Sequence, residues 1–312
     1  MRLIDKIIPF EPPQKYTLVP PTLLNFLTNE RAVFSFQATK RYIRTLGMNH
    51  REEIVLKPFE EFSPAELRED EIIEILKEQV EKFNKTTQGK KQYYATFIPA
   101  QQGILRMYTF PPNMRRSEVL QALELYIQQE IANVYSNTEV SYRYTIVKSS
   151  KDEPYRVFVV IVEKAALEEI QNITQRLNIE LDVISYELVV LLNFGFLNEL
   201  PEPFAILYTD YTKIILLAYQ KDRLLYEIFP FYFSPEIKEV TEDLNMLIWD
   251  LRNYIVLNDI SNIFLAGVVL EYEEFTEFFL ERLPIFGIVS PKKVKERFSL
   301  VYTLAERVIH AF

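Results

Sequence analysis

Two stretches of this chain can be laid over each other without a gap, 172 residues apart. Residues 33–59 (VFSFQATKRYIRTLGMNHREEIVLKPF) match residues 205–231 (AILYTDYTKIILLAYQKDRLLYEIFPF). Ile43 meets Ile215, Arg51 meets Arg223, and Pro58 and Phe59 meet Pro230 and Phe231. Few positions are identical, but apolar positions and turn positions coincide. Each block reads as three short strands joined by tight turns, because β-branched and aromatic residues alternate between clusters of turn formers. Two such meanders in one chain imply a duplicated architecture. Two lobes each open with a three-strand meander and close with helices laid on that sheet.

The rest of the chain fills this plan. Strands are expected at 32–36, 41–46 and 53–59. Ser63, Pro64 and Glu66 look like a helix start, with a capping serine, proline at the first helical position and glutamate to close the box. Ile72, Ile73, Leu76, Val80 and Phe83 follow at helical spacing. The nine acidic residues between Glu60 and Glu81 are read as the solvated face of that helix. Residues 92–185 read as a compact α+β module in the order strand, strand, helix, strand, strand, helix, strand. An apolar helix (186–198) returns to the first lobe, so residues 31–91 and 186–203 make up that lobe. Residues 204–299 form a reduced second lobe with strands at 205–208, 213–219 and 223–229 and one long helix at 235–257. Residues 300–312 end the chain in a closing helix. The first 30 residues hold Pro9, Pro12, Pro13, Pro20 and Pro21, a density that blocks ladders and helices and implies an extended arm.

Composition removes several function classes. Cysteine is absent, which excludes disulfides, thiolate catalysis and cysteine-ligated metals. Only His50 and His310 are present, so a histidine-rich metal site is excluded; both are read as surface residues and no metal is expected. A net charge of −9 argues against nucleic acid as a partner. The charge is uneven, with nine Lys/Arg against five Asp/Glu in residues 1–58. No apolar run approaches the ~20 residues needed to cross a bilayer. The start MRLIDKIIPF carries charges inside its apolar stretch and does not read as a secretory signal. A cytoplasmic protein without direct membrane insertion is expected.

Residues 95–99 (ATFIP), 104–111 (ILRMYTFP) and 117–130 (SEVLQALELYIQQE) resemble, in order and spacing, the inserted subdomain of PilM, the actin-like cytoplasmic protein of type IV pilus assembly and a relative of FtsA. Residues 263–267 (IFLAG), the helix at 271–282 and residues 284–291 resemble the end of that family's second lobe. The resemblance covers roughly residues 31–312. It implies an α/β, two-lobed, actin-like (ribonuclease H-like) fold with an α+β subdomain inserted in the first lobe.

The nucleotide loops of that family do not survive. An actin-like ATPase holds phosphates and a metal with two hairpins, each carrying an Asp and a Gly that lets backbone N–H groups approach. On the family pattern Ser35 stands for the first Asp and Gln37 for the first Gly. Leu207 and Thr209 stand for the pair in the second hairpin. Gly267 remains in the adenosine loop, but Val268 and Val269 follow it. Asp210 could serve as a displaced metal ligand and is read instead as a turn residue. Thr39 and Lys40 could meet an anion, but a loop without Gly cannot wrap one. Neither ATP nor Mg²⁺ is therefore expected as a cofactor, and no enzymatic activity is expected.

The resemblance implies a scaffold. PilM-family proteins bind the short cytoplasmic tail of a single-pass inner-membrane partner, PilN, in a groove between the first lobe and the inserted module. On this chain that groove is expected to draw on Tyr94, Thr96, Leu105, Met107, Leu123 and Ile127. Other pilus assembly proteins are further expected partners, and peripheral association with the inner membrane follows. Residues 4–10 (IDKIIPF) resemble the tail's own motif, so the arm could occupy a groove; a simple extension is the plainer reading. The alternatives are a nucleotide-binding ATPase of the same machinery and the cytoplasmic domain of a GspL-type secretion protein. That type continues into a transmembrane helix, whereas this sequence stops after its closing helix.

Overall fold

A computed structural model describes residues 30–135, 138–147, 152–220, 222–233 and 242–311. The proline-rich arm and residues 235–241 of the expected long helix lie outside the described residues.

Each expected meander forms. In the first lobe, β1 (Arg31–Ala38), β2 (Tyr42–Asn49) and β3 (Ile54–Phe62) are antiparallel neighbours, and β4 (Lys91–Ile98) runs parallel to β1. β8 (Val183–Tyr186) adds to β4, giving the order β3-β2-β1-β4-β8. In the second lobe β9 (Phe204–Thr209), β10 (Lys213–Tyr219), β11 (Leu224–Pro230), β12 (Ile263–Gly267) and β13 (Ile285–Ile288) repeat it as β11-β10-β9-β12-β13. The duplicated plan therefore extends to all five strands of each sheet.

The two hairpin turns correct the overlay by one residue. Ala38 pairs with Ile43 across the first turn and Thr209 with Ile214 across the second, each spanning four residues. The structural offset is thus 171, and Ile43 occupies the place of Ile214. Both turns open on a short polar side chain. Thr39 Oγ1 accepts the N–H groups of Arg41 and Tyr42, and Asp210 Oδ1 accepts that of Tyr211. A one-residue slip exchanges the two faces of a strand, which matters for the site described below.

Helix α1 (Glu69–Thr86) buries Ile72, Ile73, Leu76, Val80 and Phe83, the expected stripe. It starts five residues later than the Ser63–Pro64 signal suggested. The backbone donors of Ser63 and Leu67 are taken by the carbonyls of Arg41 and Lys40, and the Arg41 guanidinium holds the Pro64 carbonyl. Glu71 then caps the Arg68 N–H at 2.8 Å. The exposed acids of the first turn meet Arg176 on α3 (Lys164–Arg176), a solvated ion-pair cluster that adds little stability.

The inserted module is smaller than the sequence suggests. β4 and β8 hydrogen-bond within the first-lobe sheet, so they belong to that lobe and not to the module. What stands out from the lobe is β5 (Gly103–Phe110), α2 (Arg116–Val134), β6 (Val140–Val147) and β7 (Tyr155–Glu163), a three-stranded antiparallel sheet in the order β5-β7-β6 with α2 on one face. Alternate strand residues split between two cores. Ile104, Val157, Val159 and Ile161 pack with Val119, Leu123 and Ile127 of α2. Leu105, Phe158, Val160 and Val162 join the main core. That second face also leans on the second lobe: Phe158 stacks on Tyr219, and Arg156 donates to the Tyr219 hydroxyl at 2.8 Å.

Two helices lie between the sheets. α4 (Glu187–Leu197) is apolar around its circumference and buried throughout, as such a helix must be. α7 (Ser299–Ala311) packs beside it against β1 and β2. On the far side of the second sheet α5 (Glu242–Leu257) and α6 (Glu273–Arg282) cover Ala205, Leu207, Leu216 and Leu265. The outer face of α5 leaves Met246, Trp249, Val256 and Leu257 about two-thirds or more exposed.

Candidate functional site

The cleft between the hairpins is where an actin-like fold would hold phosphates. Ser35 lies there, fully buried, and its Oγ donates to the Val301 carbonyl of α7 at 2.7 Å. Gln37 donates through Nε2 to the Tyr42 hydroxyl at 3.1 Å. Both side chains thus fasten β1 to neighbouring protein. The turn register places Ile206 and Tyr208, not Leu207 and Thr209, at the positions matching Ser35 and Gln37. Leu207 points instead into the core beneath α5 and α6. The absence of an aspartate at these positions holds for either alignment.

Gly267 keeps its place for a different reason from the one the family pattern gives. Its φ is +93°, and an added Cβ would lie 2.1 Å from the Thr209 carbonyl oxygen. Only glycine lets β12 close on β9 at that point. The Thr209 hydroxyl completes the closure: it donates to the Ala266 carbonyl and accepts the Val269 N–H, both at 3.0 Å. Val268 and Val269 are buried in the second-lobe core. The stretch matching the adenosine loop is thus packed as a joint between β12 and β9.

Between the hairpins lies a group that the sequence reading did not single out. Arg44 of β2 is fully buried, with its guanidinium shared between lobes. Its Nη2 meets Asp210 Oδ1 at 3.0 Å, Nη1 meets Oδ2 at 3.3 Å, and Nε meets Glu60 Oε2 at 2.7 Å. The Tyr42 hydroxyl donates to Asp210 Oδ2 at 2.7 Å. Tyr211 and Arg297 both hold the other oxygen of Glu60, at 2.9 and 2.6 Å. The guanidinium sits over the rings of Tyr42 and Tyr211, 4.3 and 5.0 Å from their centroids. Burial opposes a charge on Arg44, but Asp210 and its other neighbours hold its pKa well above the ordinary value. Burial, then Asp210, pushes the Tyr42 hydroxyl well up, so it stays a donor. Asp210, which the sequence offered as a displaced metal ligand, is engaged by Arg44, by Tyr42 and by the Tyr211 N–H.

A second ion pair flanks the first. Lys213 meets Glu187 at the start of α4, and Glu187 also accepts the Ala100 N–H at 2.7 Å. The Lys213 ammonium reaches Gln101 at 3.2 Å. These cations and carboxylates of the chain itself occupy the buried part of the cleft.

Beside this plug opens a cavity of about 430 Å³. Phe36 and Phe97 of the first-lobe sheet line one side, and Ala166, Ile170 and Ile173 of α3 the other; Lys40 and Lys213 are among its charged residues. Thr39 and Tyr42 of the first hairpin and Thr212 of the second line it as well, so it opens between the two hairpins and extends to the helix that follows the inserted module. Of the six residues expected to form a groove, Thr96 lines it. Leu123 and Ile127 are interior residues of the module, and Leu105 is fully buried in the main core with its N–H directed at the Tyr226 hydroxyl. Met107 packs on that same core, and Tyr94 lies under α1, bonded to Asn84 at 2.6 Å. Leu105, Leu123 and Ile127 are thus interior residues, while Tyr94 and Met107 are partly buried at the edge of the core. The α3 wall was missed because Ala166, Ile170 and Ile173 recur at i, i+4 and i+7, which reads as an ordinary core stripe.

Two five-stranded sheets of identical order around a shared cleft define the class: the chain has the actin-like ATPase fold. Among solved structures it is similar to a PilM-PilN type IV pilus biogenesis complex, with a TM-score of 0.64 and 13% identity over 90% of this chain and 98% of that one. It is also similar to a Bacteroides thetaiotaomicron protein with an actin-like ATPase fold and unknown function, with a TM-score of 0.50 and 11% identity over 86% of this chain and 95% of that one. No family model and no curated protein sequence matches the chain.

Proposed function

We propose that this chain is a non-catalytic adaptor of a type IV pilus or related secretion machine, binding the cytoplasmic tail of a PilN-like inner-membrane protein. The observation that carries the non-catalytic half is Arg44. A buried guanidinium, pinned to Asp210 and Glu60 between the two hairpins, supports it, because these are the hairpins that hold phosphates and metal in the family the chain resembles. Binding Mg-ATP there would require breaking a buried ion pair and leaving charges stranded, a cost of about 3–5 kcal/mol before any contact is made.

The adaptor half draws support from the PilM-PilN complex among the similar structures and from the cavity beside α3. That cavity offers apolar walls, with Lys40 and Glu169 also lining it. An extended peptide with alternating apolar residues suits it, a familiar recognition mode. No helix among the described residues is long and apolar enough to cross a membrane, so membrane association in this reading runs through the partner.

The test is a pair of titrations on the purified chain. Mg-ATP at millimolar concentration should give no heat and no rise in melting temperature, since a ligand bound only to the folded state must raise it. A synthetic PilN-like tail peptide should bind, and Ile170→Glu should abolish that binding. Saturable binding of Mg-ATP would restore the ATPase reading. Peptide affinity unchanged by Ile170→Glu would remove the cavity from the proposal.

A further inference from the structure

The chain's two histidines were read as surface residues, and no metal was expected. One of them stands in an unusual place. His310 lies four residues after Glu306 on α7, so the two share a helix face. Glu52 comes to them from the turn between β2 and β3. That turn is firmly built: Asn49 Oδ1 accepts the N–H groups of Arg51 and Glu53 at 2.9 and 3.0 Å, and Glu52 donates to the Asn49 carbonyl at 2.9 Å.

One ligand atom from each of Glu52, Glu306 and His310 lies within 4.8 Å of the other two. His310 Nε2 and Glu52 Oε1 are 3.1 Å apart. Around a tetrahedral ion with bonds of about 2.1 Å, ligand atoms stand roughly 3.4 Å from one another. Small side-chain adjustments would therefore close this set on a single ion.

The second observation is Glu306 itself. It is only 8% exposed, and among the described residues it has no hydrogen-bond or ion-pair partner. A largely buried carboxylate without a bonded partner loses part of its hydration, and this one faces another carboxylate. The cations nearby do not relieve it. Lys293 holds the other oxygen of Glu52 at 3.2 Å and the Glu52 carbonyl at 2.9 Å, leaving Oε1 turned towards His310. Lys292, His310 and Lys293 favour the Glu306 charge only through space, and burial and Glu52 outweigh them.

We propose that Glu52, Glu306 and His310 form a binding site for a divalent transition-metal ion of the Zn²⁺ type. Two carboxylate oxygens and one imidazole nitrogen suit such an ion better than Mg²⁺. They supply three protein ligands, with water for the fourth position. His310 is exposed, so the site opens to solvent. A bound ion would tie the last helix to the β2–β3 turn of the first lobe. The inference is independent of the adaptor reading, since the site lies apart from both the cleft and the cavity beside α3.

The experiment is calorimetric titration of the full chain, stripped of metal by chelation, with ZnCl₂ at pH 7.5. Binding of one ion per chain and a higher melting temperature are expected. Glu306→Gln and His310→Ala should each weaken binding by about 100-fold or more, beyond the usual loss of an outer-shell partner. His50→Ala should leave it unchanged. His310 is a surface residue and Gln nearly matches Glu in shape, so both variants should fold, which circular dichroism checks. No heat with Zn²⁺, unchanged affinity in both cluster variants, or an equal loss in His50→Ala would each overturn the proposal.

Discussion

Arg44→Met tests whether the two lobes are riveted through the cleft. The substitution keeps the apolar stem and deletes the guanidinium. Asp210 then loses two of its contacts and Glu60 one, all within a site from which water is excluded. Breaking a buried pair from one side costs about 3–5 kcal/mol. The loss falls mainly on Asp210, because Glu60 still has Tyr211 and Arg297. Adding Asp210→Asn removes the stranded charge, so the double variant should recover to within roughly 1–2 kcal/mol of the parent, and the coupling between the two positions should be at least about 2 kcal/mol. Urea unfolding followed by circular dichroism gives each free energy, and unchanged slopes would show that the compactness of the states is the same. If Arg44→Met costs less than about 1 kcal/mol, or if the double variant is no better than the single, the plug does not hold the lobes and the reasoning fails.

Three further expectations follow from the same kind of accounting. Burial, then Glu52, raises the pKa of Glu306. A carboxyl raised on folding costs stability above its folded pKa and recovers it as pH falls towards the unfolded value. Without added metal, Glu306→Gln should therefore raise the melting temperature at pH 8, and this advantage should fade towards pH 4.5; a pH series of melts decides it. Gly267→Ala should destabilise by roughly 2–4 kcal/mol through its positive φ and its collision with the Thr209 carbonyl, measured by denaturant unfolding. Leu123→Ala should cost about 2–5 kcal/mol, as an interior residue does, while leaving tail-peptide affinity in the folded fraction unchanged by calorimetry.

The duplicated meanders were legible because each turn is flanked by residues of strong strand preference. Their mutual register was not. β9 and β10 are buried on both faces, so they read as continuous apolar runs with no alternation to fix which side faces the cleft. An overlay at 172 and one at 171 look equally good in such strands, and the difference moved Leu207 from the cleft to the outer core. The same absence of alternation hid the fact that β4 and β8 belong to the first-lobe sheet. α1 was read five residues long at its start because Ser63 and Pro64 carry a strong local signal, which contacts with Arg41 and Lys40 override. The plug itself was out of reach, for Arg44 and Asp210 stand 166 residues apart and nothing local to either one names the other.

A ligand that binds and leaves can bias the angle between two lobes and then release it. Arg44 is a covalent part of this chain, so the tie it makes between the hairpins is neither consumed nor released. If that tie holds, the chain has one posture, acquired when it folds. On the proposed adaptor reading, timing would then come from outside, from when partners arrive and how many copies are present to meet them.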